Sequence, residues 1–321
     1  MSAEPVPPAS LEERRHLRWL FVGQGPMGAA ALAGLLTERT PVAVVTAEPP
    51  DDAGPVSQVA AAHRLEVHRL PRLGHEPARR WPGLFADLDV AVSACWGEKL
   101  RPGALLTPAH GWLNLHPSAL PAWRGTDPVG WQLLAHPSTI GCTVHRMTDG
   151  LDDGPVVAQG RVEVRADDDR ATLLRRSGTE LGRLAASTLA RLARGQPLEE
   201  WPQDDALATW CPPPGVVPSL DPRSLRAHTA ERIARAFSPD PGVAVVGLGG
   251  GERFAVTGLG PSLGAGDVPG AVARAAGGHV ALACRDRWLR GVVRGPSGAA
   301  AHASRPSVTR LGEPSLPPPP D

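Results

Sequence analysis

The sequence lacks tyrosine, contains a single lysine, Lys99, and carries no net charge at neutral pH. A balanced charge argues against a general polyanion-binding protein, which needs an excess of Lys and Arg. No apolar run is long enough to cross a membrane, and the amino terminus has no basic region followed by an apolar core. We therefore predict a cytoplasmic protein with no membrane partner.

Cysteines are few and scattered along the chain. They are Cys95, Cys142, Cys211 and Cys284. No pair has the Cys-x-x-Cys spacing, and no histidine stands at the spacing of a zinc finger. The pattern therefore predicts neither a disulfide framework nor a metal site, and buried free thiols are the expected state.

Alternating strand and helix patterns predict an α/β fold with a parallel sheet. An apolar strand from Leu17 to Val22 is followed by glycines, a helix from Ala29 to Leu36 and a second strand from Pro41 to Thr46. A long helix, capped by Asp168 or Asp169 and ending near Ala193, completes this region.

The 321 residues are enough for two domains with separate cores. We predict an N-terminal extension over residues 1–16, an α/β domain over 17–205 and a linker over 206–225. Short strands punctuated by glycines predict a small C-terminal β-barrel over 226–298. A disordered tail is expected over 299–321, which ends in four prolines and an aspartate.

A glycine-rich turn follows the first predicted strand. Gly23, Gly25 and Gly28 have the spacing of a dinucleotide-binding fingerprint, and Glu48 stands twenty residues after Gly28. Taken alone, this pattern predicts an NAD-dependent oxidoreductase. However, Pro26 lies where a phosphate would need a backbone amide, and a tight glycine turn is also the structural default at a first βα junction. We therefore interpret the turn as structural and keep the oxidoreductase as the less favoured alternative.

Two polar residues share a later predicted strand. Asn114 and His116 lie two positions apart, so their side chains point to the same face and can converge on one substrate atom. Asp152 lies on a loop flanked by glycines. An amide, an imidazole and a carboxylate suit acyl transfer to an amine, because Asn114 and His116 can stabilise the oxygen that becomes negative. Asp152 would raise the basicity of the imidazole and accept the proton of the amine, directly or through water.

Taken singly, each of these residues also has an ordinary structural explanation, as a satisfied core polar group or a turn residue. Together, the segments Leu113–Gly125, Gly141–Met147 and Leu151–Pro155 resemble the signature of the 10-formyltetrahydrofolate-dependent formyltransferases. The resemblance places the catalytic Asn, His and Asp of that superfamily on the three residues named above. It also implies a Rossmann-like formyltransferase domain whose first turn does not bind NAD. More weakly, it implies a C-terminal OB-like β-barrel similar to that of the methionyl-tRNA enzymes.

The resemblance further implies where the co-substrate binds. In the superfamily the folate pocket is lined by the loop before the Asn-x-His strand and by the loop that carries the catalytic Asp. The matching residues here are Trp96, Gly97, Lys99, Leu100, Thr148, Asp149 and Gly150. The predicted formyl donor is 10-formyltetrahydrofolate, held mainly by backbone contacts and without a metal.

Two departures from the methionyl-tRNA formyltransferase pattern favour a small acceptor. Those enzymes usually carry a basic, glycine-rich insertion after the second strand, whereas the segment Ala47–Pro55 is short and includes Asp51 and Asp52. The usual Ser-Leu-Leu-Pro-Arg is replaced by Ser118–Ala122, which removes another positive charge. We predict a small-molecule amine acceptor, such as an amino sugar, an amino acid or a hydroxylamine-bearing siderophore precursor.

One feature supports tRNA as the alternative acceptor. Residues 226–310 contain eleven arginines against five acidic residues. A solvated surface is the default explanation of such a modest bias, so a methionyl-tRNA formyltransferase is disfavoured but kept. The third class is a noncatalytic module that binds folate or RNA, although no catalytic residue is missing. The sequence specifies neither the individual acceptor nor the oligomeric state.

Overall fold

The computed structural model describes residues 17–294, apart from 38, 39, 50–53, 75, 86, 136, 214, 215, 217, 218, 240, 241, 247 and 249–251. The predicted N-terminal extension, the predicted tail, and Asp51 and Asp52 lie outside the described residues. The chain divides into two compact units. One contains residues up to 124, 141–162 and 174–209, and the other contains 125–140, 163–173 and 210 onward. The predicted boundaries at residues 205 and 225 stay a prediction.

A seven-stranded sheet forms the framework of the α/β region. Its strands are β1 (Trp19–Gly23), β2 (Ala43–Thr46), β3 (Val67–Arg69), β4 (Val90–Ala94), β5 (Trp112–His116), β6 (Thr139–Arg146) and β7 (Val156–Glu163). They lie in the order β3-β2-β1-β4-β5-β6-β7. Neighbours from β3 to β5 are parallel, whereas β6 is antiparallel to β5. The predicted α/β fold with a mostly parallel sheet is confirmed.

Eight helices accompany the strands in the described part of the chain. They are α1 (Gly25–Leu36), α2 (Pro55–Ala62), α3 (Pro77–Arg80), α4 (Pro82–Phe85), α5 (Pro102–Leu105), α6 (Pro128–Leu134), α7 (Arg170–Ala193) and α8 (Ala227–Ala236). The long predicted helix is α7. It starts where the Asp169 carboxylate accepts from the Thr172 backbone N–H at 2.8 Å, and it ends before Gly195, which adopts a φ of +66°. None of the helices described is long and apolar enough to cross a membrane.

Every residue of β1 and of β4 is buried, as expected for central strands of a parallel sheet with helices on both faces. On one face, Trp112 packs in a core that includes Leu20 and Val22, and its indole N–H donates to the Ala104 carbonyl at 2.9 Å. Trp112 is therefore buried without an unpaired donor, and it anchors the start of β5 below the polar residues of that strand.

Glu48 binds the backbone of the glycine-rich turn. Its buried carboxylate accepts from the backbone N–H groups of Gly25 at 2.9 Å, Val56 at 3.1 Å and Ser57 at 2.9 Å. The side chain therefore joins the start of α1 to the first turn of α2, where the helix dipole favours a negative charge. In a dinucleotide site this acid would bind a ribose hydroxyl. Here the Glu48 carboxylate instead accepts from three backbone N–H groups, which supports the interpretation of the glycine-rich turn as structural.

We expect Glu48→Ala to lower the free energy of unfolding by about 2–4 kcal/mol, because three backbone N–H groups lose their acceptor. Urea unfolding followed by circular dichroism measures this change. Glu163 is exposed at the end of β7 and serves as the matched control. Glu163→Ala should alter stability by less than about 0.5 kcal/mol. An equally small change for Glu48→Ala would contradict the structural role.

The second unit contains a four-stranded antiparallel sheet in the order β10-β13-β12-β11. Its strands are β10 (Arg253–Ser262), β11 (Val272–Arg274), β12 (His279–Ala283) and β13 (Arg287–Arg294), and a separate parallel pair is formed by β8 (Ser219–Leu220) and β9 (Ala244–Val245). Short strands in this region are as predicted, and the structure pairs four of them antiparallel. Closure into an OB-like barrel stays a prediction.

Candidate active site

Strand β5 places two polar side chains at the carboxyl edge of the sheet. Asn114 and His116 alternate with buried leucines on β5, and the antiparallel register with β6 sets Asn114 opposite His145. The amide Nδ2 of Asn114 lies 3.1 Å from His145 Nε2. Cross-strand neighbours of this kind have their side chains close together. The strand pairing therefore brings an imidazole to the amide that the sequence singled out.

Asp152 reaches the same place from the loop between β6 and β7. Its Oδ1 accepts from Asn114 Nδ2 at 3.2 Å, and its Oδ2 lies 3.6 Å from His116 Nδ1. The loop can approach β6 only because residue 154 is glycine: a Cβ there would lie 2.0 Å from the Arg146 carbonyl oxygen. The structure thus brings together Asn114, His116 and Asp152, as the sequence predicts.

Backbone carbonyls define the neutral tautomers of both histidines. His116 Nε2 lies 2.9 Å from the Trp123 carbonyl, and His145 Nδ1 lies 2.8 Å from the Arg146 carbonyl. A carbonyl only accepts, so these two nitrogens carry hydrogens. In neutral His145 the Nε2 lone pair accepts from Asn114, and in neutral His116 the Nδ1 lone pair faces Asp152. A proton can therefore be held at His116 Nδ1 or at Asp152 Oδ2.

Burial is the largest influence on the pKa of His116. The side chains of His116, His145 and Asp152 are 5%, 2% and 11% exposed. Burial lowers the pKa of His116 from its ordinary value of 6.5, the charge of Asp152 opposes that shift, and His145 adds to it. Like the charge of Asp152, the hydrogen bond from His116 to the Trp123 carbonyl favours the protonated imidazole. His116 is therefore neutral at rest near pH 7 and close to a carboxylate that can share an incoming proton.

His145 is the site residue that the sequence reasoning missed. Its strand lies within one of the segments that carry the resemblance, but a lone histidine in an apolar strand reads as a core residue. The missing information is the register, because only the pairing of β5 with β6 puts this imidazole beside Asn114. A histidine in the strand that follows an Asn-x-His strand would have been the signal.

A cleft of about 460 Å³ opens at the carboxyl ends of β1, β2 and β4. The strand order reverses between β1 and β4, and such a switch point is the common ligand site of open α/β sheets. The lining includes Trp96 and the three basic residues Arg72, Lys99 and Arg101. An aromatic ring beside three cations suits a planar ligand with carboxylates.

Glu98 lies on the loop that contributes half of this lining, and its hydrogen bonds fix that loop. Its carboxylate accepts from the backbone N–H groups of Leu73 at 2.6 Å and Gly74 at 3.0 Å, and from the Trp96 indole N–H at 3.3 Å. These bonds tie two walls of the cleft together and orient the indole. The walls of the cleft are thus held by hydrogen bonds within the protein.

The predicted folate-binding residues separate into three groups. Trp96, Gly97 and Lys99 line the cleft. Leu100 does not: it is 2% exposed and packs in the hydrophobic core with Trp112. Thr148, Asp149 and Gly150 are exposed on the loop that leads to Asp152, and Lys99 Nζ lies 3.8 Å from Asp149 Oδ1, so a weak ion pair connects the two loops.

Within the residues that the structure describes, no group of three or more His, Cys, Asp or Glu side chains has an arrangement that could hold a metal ion. Cys142 and Cys284 are buried free thiols, and burial raises their pKa to about 12 and about 11. Cys211 is half-buried and Cys95 is exposed. The expectation of buried thiols therefore holds for two of the four cysteines.

Comparison of sequences finds a family match and similar full-length proteins. Residues 20–185 match the family described as formyl transferase. The chain is 33% identical over 293 residues to the methionyl-tRNA formyltransferase of Burkholderia ambifaria, which covers 85% of this chain and 88% of that protein. The corresponding protein of Chromobacterium violaceum is 33% identical over 245 residues, or 73% of this chain and 78% of that protein.

Solved structures share the fold at low sequence identity. HypX from Aquifex aeolicus aligns with a TM-score of 0.64 at 18% identity, over 87% of this chain and 44% of HypX, so this chain spans less than half of that protein. An N-formyltransferase from Helicobacter canadensis, in complex with folinic acid and dTDP-3-aminofucose, aligns with a TM-score of 0.56 at 12% identity, over 86% of this chain and 98% of that chain.

Proposed function

This chain belongs to the formyltransferase superfamily and is a formyl-transferring enzyme, and we propose that it moves the formyl group of 10-formyltetrahydrofolate to an amine or hydroxylamine of a small-molecule acceptor. The observation that carries the proposal is the buried cluster in which Asn114 Nδ2 and His116 Nδ1 both face the carboxylate of Asp152, at 3.2 and 3.6 Å. The alternative acceptor is the initiator methionyl-tRNA.

We assign the donor to the cleft at the carboxyl edge of the sheet. Its volume of about 460 Å³ falls within the usual range for small-molecule sites. Trp96 would stack on a pterin ring, and the cations of Lys99, Arg72 and Arg101 suit the glutamate carboxylates. The Thr148–Gly150 loop, connected through Asp149 to Lys99, would form the side towards Asp152.

When bound, 10-formyltetrahydrofolate supplies an activated formyl carbon for attack by an amine. Asn114 directs its amide hydrogens into the cluster, where they can stabilise an oxygen that becomes negative. As the acceptor nitrogen bonds to the formyl carbon, the bond from that carbon to N10 of the folate would break. Asp152 Oδ2 and His116 Nδ1 would hold the proton that the amine loses until it passes to N10 of the released tetrahydrofolate. Because His116 Nε2 donates to the Trp123 carbonyl, the imidazole can take up this proton without rotating. Protonated His116 is then an additional donor in a buried site.

The loop after β5 has its arginine in an internal pair, and the two segments that depart from the methionyl-tRNA formyltransferase pattern supply no cation. Arg124, in the Trp-Arg-Gly segment after β5, has a side chain only 5% exposed and donates to Asp205 Oδ1 at 2.8 Å. Ala122, at the position that departs from the usual arginine, is buried. In the connection between β2 and α2, Glu48 binds the start of α2, and the sequence from 47 to 54 contains no Lys or Arg. Recognition of a tRNA acceptor stem depends on phosphate contacts from Lys and Arg. The internal pairing of Arg124 and the lack of cations in these two segments therefore favour a small acceptor.

Methionyl-tRNA remains the second candidate because the relatives named for it match 85% of this chain, a span that reaches the arginine-rich region after residue 226. Some of these arginines are paired: Arg274 donates to both oxygens of Glu252, at 3.1 and 2.7 Å. Arg226 and Arg287 lie near Asp286, whose pKa is lowered chiefly by the Ala227 backbone N–H and in part by these two charges. Ion pairing reduces the charge available for RNA.

The proposal is tested by following tetrahydrofolate release, through absorbance, with amino sugars, amino acids, alkyl hydroxylamines and charged initiator tRNA as acceptors. We expect kcat/KM with the best small amine to exceed that with methionyl-tRNA by at least about tenfold. Turnover of that amine should change by less than about threefold between 50 and 200 mM salt, whereas tRNA turnover through phosphate contacts would fall steeply. A higher kcat/KM with methionyl-tRNA than with every small amine would contradict the proposed class of acceptor. If no acceptor of the panel caused tetrahydrofolate release, the proposed formyl donor would be wrong.

A further inference from the structure

The segment that follows α7 contacts the loop that carries Asp152. Gln203 Nε2 donates to the Asp152 carbonyl at 2.9 Å and to the Gly154 carbonyl at 2.7 Å. Both hydrogens of this amide are therefore used on the backbone of one loop. Asp152 adopts a φ of +52°, a left-handed conformation that is unfavourable for a residue other than glycine. Such a conformation persists only where the surroundings enforce it.

Arg124 determines which end of the Gln203 amide faces the Asp152 loop. Its Nε and Nη2 donate to Gln203 Oε1 at 3.1 and 2.9 Å, and Nη2 also donates to Asp205 Oδ1 at 2.8 Å. A guanidinium has no acceptor, so the oxygen of the amide must point towards Arg124 and the NH2 group towards the carbonyls. The orientation of Gln203 is thus set by a buried cation.

The same segment also holds the loop next to His116. Thr209 Oγ1 accepts from the Trp123 backbone N–H at 2.8 Å, and the Thr209 carbonyl accepts from the Arg124 N–H at 2.8 Å. The Trp123 carbonyl in turn accepts from His116 Nε2. Residues 203–209 therefore connect the loop that orients His116 with the loop that carries Asp152. We call these residues the clamp segment.

We propose that Gln203 is a positioning residue for formyl transfer, which sets the placement of the Asp152 carboxylate against Asn114 and His116. The proposal rests on the catalytic role of Asp152 given above. No contact of Gln203 with the reacting groups is needed, because both of its donors act on the backbone of the catalytic loop. Misplacement of a catalytic group by about 1 Å is enough to cost about a hundredfold in rate.

We expect Gln203→Ala to lower kcat by about a hundredfold, with the KM for 10-formyltetrahydrofolate changed by less than about threefold. Gln203→Glu should lose a similar amount, because a carboxylate still accepts from Arg124 but cannot donate to the two carbonyls. Turnover is measured with the best amine of the panel described above. The glutamate variant keeps the size of the side chain and provides the same test if the alanine variant does not fold.

A spectroscopic readout separates positioning from general stability. Asn114 is the only asparagine in the chain, so labelling with ¹⁵N-asparagine gives one side-chain NH2 signal. That amide donates to Asp152 Oδ1, so its resonance should shift in Gln203→Ala as the carboxylate moves. Gln196 is an exposed residue of the same type just after α7 and provides the control. Gln196→Ala should leave both the turnover and the signal unchanged.

The outcomes are distinct. A Gln203→Ala enzyme with kcat within about threefold of the wild type, or with an unshifted Asn114 signal despite lost activity, would overturn the positioning role. If Asn114→Ala also kept wild-type turnover, the proposed formyl-transfer site itself would be wrong. A hundredfold loss with a shifted signal, an unchanged KM for the donor and an inert Gln196 control supports the role of the clamp segment.

Discussion

Asp152→Asn is expected to lower kcat for formyl transfer by about a thousandfold, because general acid–base groups contribute about 10²–10⁴-fold. The amide that replaces the carboxylate carries no charge and cannot hold the proton released by the amine. The change also removes the charge that favours protonation of His116, whose pKa burial already lowers. Both groups that share the proton in the wild type, Asp152 Oδ2 and His116 Nδ1, are therefore impaired by one substitution.

The neighbouring residue provides a matched control for this loss. Asp153 is exposed, and its carboxylate accepts from the Thr148 hydroxyl on the same loop. Asp153→Asn keeps an oxygen acceptor for that hydroxyl, so we expect turnover within about threefold of the wild type. Single-turnover assays with saturating 10-formyltetrahydrofolate isolate the chemical step. A loss for Asp152→Asn no larger than that for Asp153→Asn would exclude Asp152 as the proton acceptor.

The central elements of the α/β region were predictable because their signals are local. β1 is an apolar run ended by glycine, and α7 combines a regular apolar stripe with an aspartate cap and a glycine stop. By contrast, β3 consists of Val67, His68 and Arg69, which are half-buried, and it forms only by pairing with β2. Three residues of mixed polarity carry no recognisable period, so the sheet partner alone defines that strand.

The C-terminal unit shows the same division between local and long-range signals. Strand β12 (His279–Ala283) is one of the short strands punctuated by glycines, because it lies between glycines and a charged turn. By contrast, Ala244–Val245 pairs with Ser219–Leu220, and the second of these strands lies within the segment predicted to be the linker. Parallel pairing of two dipeptides that lie far apart in the chain leaves no pattern in either of them.

In the candidate site, residues close together in the sequence could be predicted to act together, whereas contacts between distant residues could not. Asn114 and His116 share a strand face by alternation alone, whereas Gln203 reaches the Asp152 loop from 51 residues away in sequence. Folate binding by Leu100 stays a prediction. Its apolar side chain turns into the core, where burial is worth about 2 kcal/mol, so only the backbone of Leu100 is left for the contact that the resemblance implies.

Asn114→Ala is expected to lower kcat by about 10²–10³-fold, which corresponds to about 2.7–4 kcal/mol of lost transition-state stabilisation. The alanine removes the side-chain amide that donates to both Asp152 and His145, at 3.2 and 3.1 Å. Its donors are held in place before the reaction, so their loss affects the charge that develops more than the ground state. The affinity for 10-formyltetrahydrofolate, measured by calorimetry, should change by less than about threefold.

Two further substitutions at this position separate hydrogen-bond donation from packing. Asn114→Asp has nearly the same shape but lacks both N–H donors, and it would set a second carboxylate within hydrogen-bonding distance of Asp152. We expect it to lose at least as much activity as the alanine variant, because like charges oppose the negative oxygen. Asn114→Gln keeps the amide one methylene further out and should retain more activity than either. If the aspartate variant were instead the most active of the three, the amide would act by filling space, and stabilisation of the oxygen would have to come from His116.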